Sequence, residues 1–474
     1  MANVSFWIDN FNLNNLRHFF YAVLPSESRF SSVDLVPDYV AQALPWFAAL
    51  IAVEWVVLRL EGKGDKYAFN DTITSLSAGI LRSLFNLTLR TYALIWYCKI
   101  YDNWRLVDLP WDSPVVWLIA FVAEDFFYYL AHRAAHEISV FWMLHQIHHS
   151  SEYLNVTTSV RHGIWQEYAL VGFDLIRAFV VPPQQYLVHK ALGQLYQVCY
   201  HTEAIGNLGI LEYVLVTPSS HRVHHGRNPY CIDKNYGGTL IIWDILFGTF
   251  ELERPSEPPI YGTVTTVNSF NVFYCQWNDF KWYFWGKQQT LQNFYDRIRV
   301  PFCPPAWQPN DSVRWIGIPK VFGWVRRVYT EDGIPLIQYP VIKYNPAIQL
   351  WLKFYIAIHF CFVFQMYWTF SEFYKTLSYA QFYAQLGFIF LSFLSFGFML
   401  DKRGFSGALE IVRCLLAQFI LLPVTFDNPT MSEFTTLSTM LYCLMSASIS
   451  IWIVVFLFVD HQLFFRLHHR KTSS

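Results

Sequence analysis

The sequence predicts an all-α, polytopic integral membrane protein with about 8–9 membrane helices and a histidine-rich cap at its cytosolic face. Three observations carry this prediction. Apolar residues make up 54% of the 474-residue chain and charged residues only 15%, where roughly 25% charged is usual in soluble domains. Apolar runs of helix length recur along the chain. Finally, 11 of the 16 histidines fall between His132 and His225.

So little polar surface cannot clothe several soluble domains, and the composition also excludes disorder, collagen and coiled coil. The net charge of −1 supplies no basic field to recruit nucleic acid. The 8 cysteines are scattered without a CxxC pair, so they read as thiols and not as a zinc ribbon or disulfide framework. The opening MANVSFWIDNFNLNN has no charged segment followed by an apolar one, which predicts that no signal peptide is cleaved.

Crossing a bilayer takes about 20 mostly apolar residues in a helix, because the backbone must satisfy its own polar groups. The candidate spans are 41–60, 76–98, 113–131, 164–181, 191–216, 350–370, 377–400, 409–425 and 440–460. Arg82 and Arg90 interrupt the second; Asp174 and Arg177 make the fourth a candidate hairpin half that stops short of crossing. The stretch 226–349 has no comparable run and is rich in proline, tryptophan and charge. The resulting division is 1–111 (N-terminal segment and first membrane helices), 112–260 (histidine-bearing core), 261–345 (cytosolic or membrane-surface segment) and 346–474 (C-terminal membrane helices).

Lysine and arginine in short loops set orientation. The tail carries Arg466, Arg470 and Lys471 and the 401–408 loop carries Lys402 and Arg403, whereas 426–439 has neither residue type. Tail and 401–408 therefore read as cytosolic. Counting back places 226–349 on the same side, and counting forward from Arg59, Lys63 and Lys66 brings His132 there too. Lys99, Arg105 and Lys375 vote the other way.

The histidines form tight groups: HRAAH (His132, His136), HQIHH (His145, His148, His149) and HRVHH (His221, His224, His225). Positions i, i+3 and i+4 share a helix face, so each group can aim its imidazoles at one place. Each lies at or just beyond an apolar span. A lone histidine at a helix end is usually a cap. Gathering this many beside a membrane is costly without a cation to share, and they suffice for two metals. Ligand type alone does not choose among Zn, Fe, Cu and Ni. HRAAHE is not HExxH, since its glutamate follows the second histidine, so a zinc protease is not indicated.

These boxes, with the run TPSSHRVHHGRNPY, resemble the membrane fatty acid hydroxylase/sterol desaturase superfamily over roughly 113–260. That resemblance implies a di-metal, functionally di-iron, centre under a histidine cap at the cytosolic membrane face. CIDKNYGGTLIIWDILFGTFELE, VNSFNVFYCQW and GFMLDKRGFSGALEIVRCLL are similar, more narrowly, to the alkylglycerol monooxygenase family. The segments 280–345 and the first forty residues look less family-like.

The resemblance implies that His132, His136, His145, His148, His149, His221, His224 and His225 are metal ligands, with His201 in QVCYHTEAIGNLG a ninth. Glu137 matches a glutamate of the ether-lipid enzymes and is the candidate catalytic residue, orienting a ligand or hydrogen-bonding the pterin. Asp125 and Glu124, inside an apolar span, are candidate partners of a histidine N–H. His162 reads as structural, His18, His189 and His359 as core or interfacial, and His461, His468 and His469 as a tail touching lipid headgroups. Trp142, Tyr153, Trp165, Tyr168, Tyr236 and Trp243 are candidates to wall a tunnel or stack a pterin; no pterin ligand is assigned.

The implied activity is oxygen- and tetrahydrobiopterin-dependent hydroxylation of the ether-linked alkyl carbon of alkylglycerols and lyso ether lipids. The hemiacetal product breaks down to a fatty aldehyde and a glycerol derivative. The implied cofactors are iron, as two Fe, and tetrahydrobiopterin; the implied setting is the endoplasmic reticulum membrane, with ether lipids and O2 as partners. The alternatives are a sterol or fatty acyl oxidase fed by cytochrome b5, and a non-catalytic metal-binding scaffold or transporter.

Overall fold

A computed structural model describes residues 4–307, 309, 314–318, 322–326, 336–421 and 432–459. The tail histidines and basic residues from His461 onward, and residues 426–431 of the orienting loop, lie outside the described residues.

The described chain is helical except for one antiparallel ribbon, β1 (Arg314–Ile318) and β2 (Phe322–Arg326), paired Arg314 to Arg326 and Ile318 to Phe322. This ribbon departs from the all-α expectation and falls in the proline- and tryptophan-rich stretch that carries no helical period. Among the described residues, five helical segments are long and apolar enough to cross a membrane: Val33–Leu60, Pro114–Glu137, Leu350–Phe373, Tyr379–Leu400 and Thr439–Leu457.

The N-terminal half is built from α1 (Leu44–Leu60), α2 (Phe69–Trp104) and α3 (Pro114–Glu137). Pro114 opens α3 behind an Ser113 cap whose Oγ accepts the Val115 N–H at 3.2 Å, a pre-organised start. Next come α4 (Ser139–His149), α5 (Gln166–Ile176), α6 (Pro183–Tyr200), α7 (Pro218–His225) and α8 (Ile242–Phe247). The C-terminal half adds α9 (Val272–Asp279), α10 (Leu350–Phe373), α11 (Tyr379–Leu400), α12 (Ser406–Leu416) and α13 (Ser432–Val454).

Three expected spans take a different form, and a fourth, 409–425, is described only to residue 421, with α12 ending at Leu416. The 76–98 run lies inside α2, an unbroken helix of 36 residues, about 54 Å long at 1.5 Å per residue; Arg82 is held by an ion pair with Glu167. The 164–181 run is the 11-residue α5 followed by a tight turn at Arg177–Phe179, about 16 Å of helix, half a bilayer. The 191–216 run is not one helix. α6 stops at Tyr200, and Gly209 then takes a left-handed φ of 65°. The apolar residues beyond it become surface, with Ile210 81% exposed.

The largest apolar core packs α10, α11, α12 and α13 on α2, and it includes Ile147 of α4 and Cys275 of α9. Gln146, beside Ile147, donates to the Cys275 carbonyl at 2.7 Å. The C-terminal bundle thus backs the helix that carries the second histidine box. A buried pair, Arg413 and Glu410, with Tyr355, Ser395 and His359 around it, ties α10, α11 and α12 together. The 8 cysteines are all free thiols.

Candidate metal centre

Four stretches of chain converge at one end of α3. His132 and His136 lie on its last two turns, one face apart by i+4. Ile138 is extended and breaks the helix, so α4 returns with His145, His148 and His149. His201 is the residue at which α6 ends. α7 starts at a Thr217 cap closed on Ser220, with Pro218 in its first turn, and carries His221, His224 and His225.

All nine expected histidines are buried and fall into two groups. His132, His136, His145, His149 and His224 form one; His148, His201, His221 and His225 form the other, and within each the nitrogens that could bind an ion lie within 4.8 Å of one another. The groups adjoin, with the His149 and His225 rings 4.4 Å apart. His162, from a fifth stretch, stacks on His148 at 4.7 Å but belongs to neither group.

Tautomers are set by backbone carbonyls, which can only accept. Nδ1–H of His132 donates to Tyr236 O at 2.9 Å, that of His224 to Lys234 O at 2.9 Å, that of His148 to Arg161 O at 3.2 Å and that of His201 to Gln197 O at 2.6 Å. Each Nε2 therefore presents a lone pair inward. Burial, reinforced by neighbouring imidazoles, holds His148, His149, His221, His224 and His225 far below the usual imidazole pKa. Burial likewise takes His145 and His201 to about 3. The rings are neutral bases at physiological pH. Nε2 of His132, His224 and His225 have no hydrogen-bond partner although buried, a costly state that a shared cation relieves. The donor set fits two transition-metal ions.

Over 415 residues the chain is 38% identical to the alkylglycerol monooxygenase of Caenorhabditis elegans, covering 86% of this chain and 81% of that relative. This chain belongs to the alkylglycerol monooxygenase family. It is 39% identical to the Xenopus tropicalis member over 412 residues (85% of this chain, 87% of that one) and 38% to the Homo sapiens member over 401 residues (84% and 86%). The fatty acid hydroxylase family model matches residues 117–249, which include all nine histidines, and the alkylglycerol monooxygenase C-terminal domain matches 352–440. No solved structure matches. As a member of the alkylglycerol monooxygenase family the chain is an enzyme, an oxidoreductase.

The CIDKNYGGT run, which carried part of the resemblance, has a local physical reason. Asn235 sits at φ 56° between Lys234 and Tyr236, and the carbonyls on its two sides receive His224 and His132. Asn235 is itself fixed by its amide donating to Ser220 O at 2.9 Å and Glu251 O at 2.8 Å. Asp244 accepts the Tyr236 and Gly237 N–H groups at 2.7 and 2.8 Å and the Thr249 hydroxyl at 2.6 Å. Burial raises its carboxyl to about 6. A Cβ on Gly238 would lie 2.7 Å from the Tyr128 ring, so only glycine lets this loop close on α3.

Glu137 is the last residue of α3. It is buried in the last turn of α3 and accepts from Arg133 at 2.9 Å; Arg133 also donates to Tyr129 at 3.1 Å. Asp125 partners no histidine among the described residues. Its carboxylate accepts Thr239 N, Leu240 N and Trp243 Nε1 at 2.6, 3.1 and 2.8 Å, clamping the loop to α3. Glu124 pairs with Arg177.

Arg161, Arg222 and Asp244 were not singled out in the sequence. Arg161 forms a buried pair with Asp71 at 3.0 Å and braces the carbonyl that receives His148. Arg222 grips Glu253 at 2.8 Å and Ile205 O at 2.7 Å, fixing α7 against the loop after His201. A cavity of about 640 Å³ opens on His132, His145 and His148. None of Trp142, Tyr153, Trp165, Tyr168, Tyr236 and Trp243 lines it; Phe121, Phe127 and Tyr128 do. Trp142 instead packs on the His136 and His149 rings at 5.2 and 5.6 Å.

Proposed function

We propose that this chain is a tetrahydrobiopterin-dependent di-iron monooxygenase that hydroxylates the ether-linked alkyl carbon of alkylglycerols and lyso ether lipids. The observation that carries the reading is the two adjoining all-imidazole groups at the end of a cavity lined largely by apolar side chains. One iron would be held by His132, His136, His145, His149 and His224, the other by His148, His201, His221 and His225. When bound, the iron pair supplies the reductive activation of dioxygen. One oxygen atom enters the C–H bond and the other leaves as water, with two electrons and two protons drawn from the pterin. The hemiacetal then loses its glycerol part and leaves a fatty aldehyde.

The chain's own contribution is positional. Lys234, Tyr236, Arg161 and Gln197 carbonyls hold Nδ1 protons and point Nε2 atoms inward. Glu137, tied to Arg133, orients the end of α3 that bears His136 and is the candidate contact for the pterin. The apolar wall keeps water from the reacting carbon while the glycerol end stays at the polar boundary. The core 112–260 carries the chemistry, in the endoplasmic reticulum membrane with its site toward the cytosol. The loop charges of the 401–408 segment support that orientation.

The test is purified full-length protein loaded anaerobically with ferrous iron and supplied with oxygen, tetrahydrobiopterin and an alkylglycerol. Fatty aldehyde that forms only with pterin, and is lost in His148→Ala, is the expected result. Metal-replete protein that makes no aldehyde from any ether lipid, but oxidises acyl chains or sterols with cytochrome b5, would overturn the substrate assignment.

A further inference from the structure

The cavity that ends at the histidines is bounded by more than the matched hydroxylase core. Phe360, Cys361, Phe364 and Tyr367 of α10 form part of its wall, and their spacing of one, three and three residues places them on one helix face. Ala43, Phe47 and Ile51, entering or lying on α1 at four-residue intervals, line the same cavity. The α10 residues 360–367 lie within the C-terminal domain match, 352–440, and α1 lies outside both matched segments.

Cys361 of α10 and Ala48 of α1 both line the cavity and are both exposed. α1 and α10 do not pack on one another along their length. Both belong to helical segments long and apolar enough to cross a membrane, so a gap between them would face the hydrocarbon of a bilayer. At its edge Trp368 of α10 meets Phe6 and Trp7 of the N-terminal segment, with ring centres 5.1 and 6.5 Å apart. On α1 and α10 the lining is hydrocarbon and aromatic apart from the Cys361 thiol, whereas charged lining residues such as Arg82, Glu167, Asp174 and Lys190 lie on α2, α5 and α6. An alkyl chain is the ligand such a slot takes, because it gains burial and asks for no hydrogen bond.

We infer that the slot between α1 and α10 is the alkyl-chain channel, and that Cys361 and Phe364 set the chain length the enzyme accepts. The C-terminal domain is then part of the substrate site. A lipid slides in sideways from the bilayer, its distal chain between the two helices and its head end at the histidines. This inference rests on the ether-lipid reading for the identity of the head end, and on the cavity alone for the chain.

Two experiments on the full-length enzyme in nanodiscs test it. Aldehyde formation is measured with hexadecylglycerol and with octylglycerol. Cys361→Trp is expected to lower turnover of the long substrate by about tenfold or more and to leave the short one within about twofold, since single-methylene differences in an apolar pocket carry about 10–200-fold. Phe364→Ala should move the ratio the other way. Ile358→Trp, on an exposed part of α10 away from the cavity, should change neither. An equal loss for both substrates in Cys361→Trp, or an unchanged ratio in both cavity variants, overturns the proposal.

The second experiment needs no turnover. A glyceryl ether with a diazirine at its chain terminus is photolysed on the protein, and the adducts are mapped. Adducts in 40–51 and 360–367, competed by hexadecylglycerol, support the channel; adducts confined elsewhere overturn it. If the wild type cross-links there yet oxidises no ether lipid, the chemical reading fails and the channel stands. If it oxidises ether lipid and cross-links elsewhere, the channel alone fails.

Discussion

Nε2 of His201 lies 3.2 Å from Nε2 of His148, and each ring already donates its Nδ1–H to a backbone carbonyl. Two lone pairs therefore face one another inside the protein. Such a contact is repulsive unless a cation sits between them, which supports the proposal that His201 is a ligand. His201→Ala is expected to remove the ion of its group and to lower aldehyde formation by about a hundredfold or more. Metal content and activity measured on the same preparation check this. A His201→Ala protein with full metal content would reduce the residue to a buried cap.

Asp244 acts on His132 through the backbone it holds. Asp244→Ala frees the Tyr236 and Gly237 amides and lets the Tyr236 carbonyl drift from the His132 ring. The expected outcome is metal affinity weaker by about 10–100-fold, with the helical content unchanged. Competitive chelator titration followed by circular dichroism separates this from unfolding.

Asp71 and Arg161 are a buried pair with side chains each 2% exposed. Asp71→Ala strands the guanidinium, at a cost of about 3–5 kcal/mol. Because Arg161 O receives His148, thermal stability and activity should fall together. A variant that loses activity with an unchanged Tm would contradict the bracing role.

A Cβ at Gly163 would lie 1.8 Å from the Leu144 carbonyl oxygen, so the segment after Arg161 touches the backbone of α4. Gly163→Ala must push α4 aside just before His145. A loss of about 1–3 kcal/mol, with reduced metal retention, is expected. Thermal unfolding with metal analysis of the folded fraction is the measurement.

The metal-stripped protein should lose stability in acid. Burial lowers the folded pKa of His145 to about 3 and of the α7 histidines well below 6.5, whereas unfolded imidazoles titrate near 6.5. Below that pH the unfolded chain binds protons that the folded chain refuses. The stabilisation is complete above about pH 6.5 and declines as pH falls beneath it. Unfolding temperatures of stripped protein across pH 5 to 8 test the sign; a Tm rising toward acid would refute it.

The histidine positions were legible because i, i+3, i+4 spacing is local and covalent, and a helix turns it directly into a shared face. Their division into two groups was not. His148 and His149 are neighbours in sequence yet serve different groups, since successive residues on α4 point about 100° apart and only the docking of α3, α6 and α7 decides what each one meets. The Lys234 and Tyr236 carbonyls escaped notice because a backbone acceptor leaves no mark on residue type beyond the Asn-Tyr-Gly-Gly turn. Asp125 stood out as a carboxylate inside an apolar span, but its partners include amides 114 and 115 residues away, a pairing that no local pattern shows. The 191–216 span failed because hydropathy counts apolar residues and is blind to a helix that stops at Tyr200.

Metal stoichiometry is the most direct test of the central claim. Full-length protein is purified under conditions that avoid chelators, and metal is counted per chain by mass spectrometry before and after ferrous loading. Two ions per chain are predicted, falling to about one in His224→Ala and in His201→Ala, each of which breaks a different group. Well-folded protein that binds no ion, or two ions that survive both substitutions, would contradict it.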